Sequence, residues 1–419
     1  MSTYRALLAA AFVVAVPAST ASCDGDPVEL ARAQSLSLAV TPWHEGNFRY
    51  LPAPRSGDIA AFVASLEHPD DVSYVPLSPT RGGYFNAFVT ALLAAIDASV
   101  QNGDNGDWCG VMAAADRAGY AVERFYDNGI DPATNSPRDR WFVYGYDKTT
   151  AGQAYFFINP GAKRDIVIEV PHASTSEVAE THTDKQGVNM LVGLAARALL
   201  LNKAHRCTAP VASVCGGQSA VCNEKYEGPD NVYRSSDVAH TFDNSFHILH
   251  TRYSSRSTQT RFVQLHGMQS DDGEIMLASD GSTVKGSSRS NSVSGLFVDA
   301  LMARVGSALG GNARASSCQR DGLEGFPDLC ATHNVQGRTT NRSSSALTCQ
   351  SATETSSNRF LHLEQKLNLR TADLTNRWVE QAVRTVWPAC NMTSNALDCA
   401  LGPPQSRPIG PVCPVIAPP

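Results

Sequence analysis

The sequence predicts an α/β protein with a mixed, mostly parallel sheet, helices on both faces and disulfide-stapled loop insertions. The run over 165–170 is apolar and rich in branched side chains, which is typical of a buried strand. Residues 187–197 then place apolar side chains at helical spacing, and 198–202 read as a second strand. This order of strand, helix and strand favours a parallel crossover whose helix covers the sheet.

The remaining helices and strands are predicted in the same way, from apolar residues at helical spacing and from short apolar runs typical of strands. In chain order, helices are predicted over 57–66, 85–100, 237–253, 294–309 and 376–387, and strands over 141–146 and 155–159. The Ser- and Arg-rich stretches 279–293 and 338–357 are predicted to be loops.

Composition divides the chain into four segments. Residues 1–22 combine a short basic start, an apolar stretch and a small-residue end, which indicates a signal peptide. Residues 23–80 are predicted to form an N-terminal leader region, and 401–419 form a Pro-rich tail. The α/β domain is expected between them, over 81–400.

The protein is expected to be exported, either as a secreted or periplasmic protein or as a cell-surface lipoprotein. Cys23 follows a segment similar to a bacterial lipobox, so a lipid anchor on Cys23 would be its contact with a membrane. Setting Cys23 aside from the 11 cysteines leaves an even number, which suits disulfides in an oxidising compartment. The net charge of −6 without a basic cluster argues against nucleic acid as a partner.

Two histidines and a carboxylate follow strand-like runs and form a candidate metal site. His172 follows the first run, Glu177 lies five positions later, and His266 ends the run over 261–265 before Gly267. The carboxyl ends of parallel strands meet at one edge of a sheet, so these side chains can converge. Two imidazoles and a carboxylate are the protein share of a catalytic zinc site with one open position.

These segments resemble zinc carboxypeptidase-like amidohydrolases, most closely poly-γ-glutamate hydrolases and N-formylglutamate amidohydrolase-like proteins. Residues 171–177 match a His-x-x-x-x-Glu ligand pair, 265–267 a His-Gly third ligand, and 363–370 a final segment that carries a glutamate. The chain departs from poly-γ-glutamate hydrolases in having Ala-Ser where they have Gly-Gly after the first histidine, and in its cysteine-rich insertions.

The resemblance implies a phosphorylase/hydrolase-like fold and a Zn²⁺ cofactor held by His172, Glu177 and His266. It implies an enzyme that cleaves peptide or γ-glutamyl amide bonds with a metal-activated water, which makes 81–400 a zinc-hydrolase-like domain. Glu364, at the end of a third strand-like run, is expected to act as general base and acid.

An acidic peptide or polyglutamyl substrate calls for cationic side chains, because an arginine fork binds a carboxylate with two hydrogen bonds. Each candidate can equally be a solvated surface residue. The candidate substrate-binding residues are Arg206, Arg234, Arg338 and His240.

Several alternatives stay open. The two histidines can be core residues bonded to backbone, and Glu177 can favour the start of a helix. His240, His247 and His250 lie at helical spacing and form a rival metal cluster, although without a carboxylate. The alternative function is a non-catalytic surface lipoprotein that uses the same fold as a binding module. A serine hydrolase is disfavoured, since the chain has no Gly-x-Ser-x-Gly elbow.

Overall fold

The computed structural model describes the middle of the chain, within the compact unit Val40–Gly410. The predicted signal peptide, most of the predicted leader region and the Pro-rich tail lie outside the described residues. The described residues are 51, 55–66, 74–102, 106–131, 135–149, 152–173, 178–223, 228–269, 274–284, 286, 289–305, 313–321, 327–341, 347–371 and 373–388.

A mixed sheet of ten strands runs through the described part of the chain, as predicted. Two further short strands, β3 and β4, pair only with each other. In chain order the strands are β1 Arg55–Gly57, β2 Tyr120–Asp127, β3 Ile130–Asp131, β4 Ser136–Pro137, β5 Arg140–Asp147, β6 Tyr155–Ile158, β7 Arg164–Val170, β8 Ala196–Leu201, β9 Arg261–Gly267, β10 Glu274–Ser279, β11 Arg314–Ser317 and β12 Phe360–Gln365. Across the large sheet their order is β1, β2, β5, β6, β8, β7, β9, β12, β10 and β11.

Four parallel strands in the middle of the sheet, β8, β7, β9 and β12, position the candidate site. Every residue of β7 is buried, which explains its nearly continuous apolar run. Their carboxyl ends share one edge of the sheet. His172 follows β7 by two residues at this edge, and His266 and Glu364 lie near the ends of β9 and β12.

Helices cover both faces of the sheet. In chain order they are α1 Ile59–Ser65, α2 Pro79–Asn102, α3 Trp108–Ala118, α4 Thr183–Gly193, α5 Ser245–Arg256, α6 Val293–Val305, α7 Cys318–Asp321, α8 Val335–Thr340, α9 Asn368–Thr371 and α10 Asp373–Val386, with 3-10 turns at Val178–Glu180 and Pro327–Cys330. One apolar core lies under α1, α4, α6 and α10, and the other lies under α2, α3 and α5. No helix in the described residues is long and apolar enough to cross a membrane.

The structure corrects several predicted boundaries. Helix α5 begins at Ser245 rather than at 237, because the Asn244 side chain caps it by accepting from the backbone N–H of His247 over 2.7 Å. The predicted loop over 338–357 starts inside α8. Strand β1 pairs with β2 and α1 packs on the core, so the sheet begins within the segment predicted as a leader.

Disulfides staple the loops, as predicted. The described bridges are Cys207–Cys222, Cys215–Cys349 and Cys318–Cys330, and Cys109 is also disulfide-bonded. The first two hold the irregular segment between β8 and α5. Disulfides of this kind suit an oxidising, extracellular or periplasmic location.

Candidate metal centre

His172, Glu180 and His266 form a buried group at the carboxyl edge of the sheet that is arranged as metal ligands are. One ligand atom from each residue lies within 4.8 Å of the other two. Glu180 Oε1 lies 3.2 Å from His172 Nδ1 and 3.5 Å from His266 Nδ1. Ligands held about 2.1 Å from a tetrahedral zinc ion lie about 3.4 Å apart, so these two separations fit such an ion.

The carboxylate of this group is Glu180, three residues after the predicted ligand Glu177. Glu177 lies outside the described residues, so its role stays a prediction. Glu180 ends the 3-10 turn Val178–Glu180, which precedes α4 and turns the chain back toward His172. Sequence reasoning missed it because an irregular turn has no periodicity that identifies the side chain facing the site.

The second ring nitrogen of each histidine has its own partner on the far side from Glu180. Nε2 of His172 donates to Asp237 Oδ1 over 2.9 Å, and Nε2 of His266 donates to Gln264 Oε1 over 3.0 Å. Metal-binding histidines nearly always donate their other N–H to a carboxylate or carbonyl in this way. Both Nδ1 atoms therefore face Glu180.

The ionisable side chains of this group shift one another's pKa values. Burial and the nearby Arg206 lower the pKa of His172, but the carboxylates of Asp237 and Glu180 outweigh them and raise it to about 9. Burial, and then the neighbouring His362, lower the pKa of His266 to about 4. Burial alone would raise the pKa of Glu180, yet the hydrogen bond from His172 and the positive charge of Arg206 hold it well below the usual range.

This protonation pattern suits a cation. His266 is neutral at pH 7, and its Nδ1 lone pair faces an ionised carboxylate. His172 carries a proton on Nδ1, which points at the same oxygen. A metal ion would take the place of that proton. It would bind both the Nδ1 lone pair of His266 and the Glu180 carboxylate, which otherwise repel each other.

Two further groups fix the Glu180 carboxylate. Arg206 Nη2 donates to its Oε1 over 2.6 Å, and the backbone N–H of Gly267 donates to its Oε2 over 2.7 Å. A Cβ on Gly267 would lie 1.6 Å from the carbonyl oxygen of Ala179, so only glycine lets this turn approach β9. The close approach of Ala179 therefore explains why a glycine follows His266 in the sequence.

Glu364 lies beside this group, on the neighbouring strand. It pairs in register with His266 across β12 and β9, so the two side chains point to the same face of the sheet. Glu364 Oε1 accepts from His362 Nε2 over 3.0 Å, and the His362 ring lies 4.4 Å from the His266 ring. Arg370, in α9, is buried near Glu180 and Glu364 and was not among the predicted arginines.

Of the four predicted substrate-binding residues, Arg206 reaches the metal-ligand group directly and His240 reaches it through Asp237. His240 Nδ1 donates to Asp237 Oδ1 over 2.8 Å, and its ring stacks on Tyr233.

Arg234 and Arg338 hold loops together through backbone contacts, and their role in substrate binding stays a prediction. Arg234 is fully buried and donates to the carbonyl oxygens of Cys207, Ala209 and Pro229. Arg338 donates to those of Thr332 and Thr348.

The rival histidine cluster does not form a single site. His240 precedes α5 and bonds Asp237, whereas His250 is buried between Glu169 and Thr340. The rings of His247 and His250 lie 6.1 Å apart, and the Nδ1 atom of His247 is buried without a hydrogen-bond partner. The three histidines are separated because the helix expected to align them starts only at Ser245.

Comparisons with known proteins identify no close relative. No protein-family model matches the chain, and no curated protein matches it. Among solved structures, the chain is similar to the N-formylglutamate amidohydrolase from Ralstonia eutropha JMP134, at 12% sequence identity and a TM-score of 0.32, over 58% of this chain and 100% of that one. A likeness this distant assigns no function, which has to come from the chemistry of the site.

Proposed function

We propose that the chain is an exported, zinc-dependent amidohydrolase that uses His172, Glu180 and His266 as metal ligands. The observation that carries the proposal is the convergence of two Nδ1 atoms on one buried carboxylate oxygen, with the far nitrogens held by Asp237 and Gln264. This arrangement leaves a tetrahedral ion one position that the protein does not fill.

A zinc ion at this position would polarise a substrate carbonyl and lower the pKa of a water molecule toward neutrality. Glu364 is the proposed general base, because its carboxylate lies on the same sheet face as His266 and is oriented by His362. It would take a proton from the attacking water and return it to the leaving amine. Arg206 and Arg370 add positive charge beside the site, which favours a substrate that carries a carboxylate, such as a peptide or a γ-glutamyl amide.

The test is hydrolysis by the purified, disulfide-intact chain loaded with one equivalent of zinc. We expect turnover of N-acylglutamates, poly-γ-glutamate or short acidic peptides that is lost on chelation and restored by zinc. The variant Glu364→Gln keeps the shape of the side chain but removes its basicity. It should bind zinc normally and lose about 100- to 10,000-fold in rate. Full activity in Glu364→Gln would refute the proposed base.

A binding module without turnover is the second candidate, and one contact favours it. Arg206 Nη2 lies 2.6 Å from Glu180 Oε1, so its positive charge already pairs with the oxygen that a metal would need. A carboxylate oxygen has more than one lone pair, so Arg206 and zinc can share it. If Arg206 instead replaces the metal, the purified chain will not retain zinc and will bind acidic ligands without cleaving them.

A further inference from the structure

Gln264 connects the candidate metal centre to a buried carboxylate deeper in the sheet. It lies on β9 two residues before His266, so both side chains point to the same face. Its amide oxygen accepts from His266 Nε2 over 3.0 Å, and its amide nitrogen donates to Glu169 Oε2, on β7, over 3.1 Å. Gln264 and Glu169 are completely buried.

Two independent contacts fix which end of the Gln264 amide faces His266. A carboxylate has only acceptor atoms, so the NH₂ group of Gln264 must face Glu169. On the other side, the Asn334 oxygen caps α8 by accepting from Gly337 N–H over 3.0 Å, which leaves the Asn334 NH₂ to donate to the Gln264 oxygen. Both contacts require the Gln264 oxygen to face His266.

The orientation of this amide determines which nitrogen of His266 carries its proton. With an oxygen opposite, Nε2 keeps the proton and Nδ1 presents a lone pair to Glu180. A reversed amide would put NH₂ opposite Nε2 and move the proton to Nδ1, into the place that a metal needs. Glu169 is held in turn by His250 Nδ1 over 2.7 Å, so it cannot turn away easily.

We propose that Glu169 and Gln264 are positioning residues of the metal centre, which keep His266 in the tautomer that binds metal through Nδ1. The inference rests on the proposed function, because it needs His266 to be a ligand. Neither residue takes part in the chemistry, and Glu169 acts only through Gln264. The rival cluster residue His250 thereby has a role as the anchor of Glu169.

The experiment measures zinc affinity by competition with a chromophoric chelator in the full chain. Gln264→Met fills the same space without an acceptor and should bind zinc about 10- to 100-fold more weakly than the wild type. Glu169→Gln should give a smaller loss, because Asn334 still orients the amide. Gln319→Met is the matched control: it removes another fully buried amide, which bonds Ser279 and Ser282, and should leave zinc affinity unchanged.

A tautomer measurement separates positioning from a purely structural role. In the metal-free wild type, ¹⁵N NMR of labelled histidines should show His266 protonated at Nε2, whereas Gln264→Met should show a mixture of the two tautomers. An Nδ1–H tautomer in the wild type overturns the proposal, even if Gln264→Met fails to fold. Zinc binding by Gln264→Met within about threefold of a zinc-binding wild type also overturns it. A wild type that binds no zinc removes the proposed function and this inference together.

Discussion

At the residue scale, one buried glutamate organises the charges of the whole site. Glu180 accepts from Arg206 and from the backbone of Gly267 while facing His172 and His266. A buried carboxylate with this many donors stays ionised, and an ionised carboxylate is what a cation requires. Its position makes Glu180 the ligand we expect in place of Glu177.

Paired variants test this assignment. Glu180→Gln removes the anionic ligand and should weaken zinc binding by at least about 100-fold, since even partners outside the ligand set contribute about 10- to 100-fold. Glu177→Gln makes the same chemical change three residues away and should bind zinc like the wild type. Zinc titration of both proteins decides the point, and loss of zinc in Glu177→Gln alone would assign the ligand to Glu177.

Sequence reasoning finds site residues where they follow a regular strand. His172, His266 and Glu364 end apolar runs, and parallel topology brings such ends together. Gln264 could have been found in the same way, as a polar residue in a buried strand that needs a partner. Asp237 could not be assigned a role in this way, because it lies in an irregular segment whose path depends on distant contacts.

At the scale of elements, the buried parallel strands were predictable and the edges were not. Strand β7 is buried on both faces, and four of its last five residues, 166–170, are apolar, with Glu169 as the exception. Strand β2 alternates between buried and partly buried residues and carries several charged side chains, so its run looks weaker. The segment between β8 and α5 has little regular structure and is held by disulfides and by Arg234. Such contacts leave no periodic pattern of residues in the sequence, so the path of this segment could not be predicted.

Helix α5 contains a histidine that should make the protein sensitive to acid. Burial, and then His250, lower the pKa of His247 to about 3 from the ordinary value of 6.5. Between pH 6.5 and 3, His247 therefore binds a proton in the unfolded chain but not in the folded chain. The free energy of unfolding falls as the pH drops through this range. The slope from this residue is at most about 1.4 kcal/mol per pH unit.

Urea unfolding at several pH values measures this effect. His247→Gln cannot gain a proton and should flatten the dependence of the unfolding free energy on pH below 6.5. Identical pH dependence in the variant and the wild type would contradict the role of His247.

At the scale of the whole molecule, disulfides tie the irregular segment to the sheet. Cys207–Cys222 closes a loop with a sequence separation of 15, whereas Cys215–Cys349 spans 134 residues and joins this segment to the chain before β12. Long cross-links restrict the unfolded chain more than short ones.

Removing each bridge should therefore cost different amounts of stability. In the chain-entropy account, replacing Cys207 and Cys222 by serine should lower the unfolding free energy by about 3 kcal/mol, and replacing Cys215 and Cys349 by about 5 kcal/mol. Denaturant unfolding of the two double variants measures which bridge contributes more to the unfolding free energy. A larger loss for the short bridge would mean that its contacts in the folded state outweigh the chain-entropy effect.

In the proposed function, His172 and His266 bind one zinc ion together with Glu180. The most direct measurement is the zinc content of the purified, disulfide-intact chain after incubation with zinc and removal of the excess. We predict one zinc per chain in the wild type and almost none in His172→Ala or His266→Ala, with His247→Ala as a matched control that keeps its zinc. A wild type without zinc, or full zinc occupancy in His172→Ala and His266→Ala, would contradict this set of ligands.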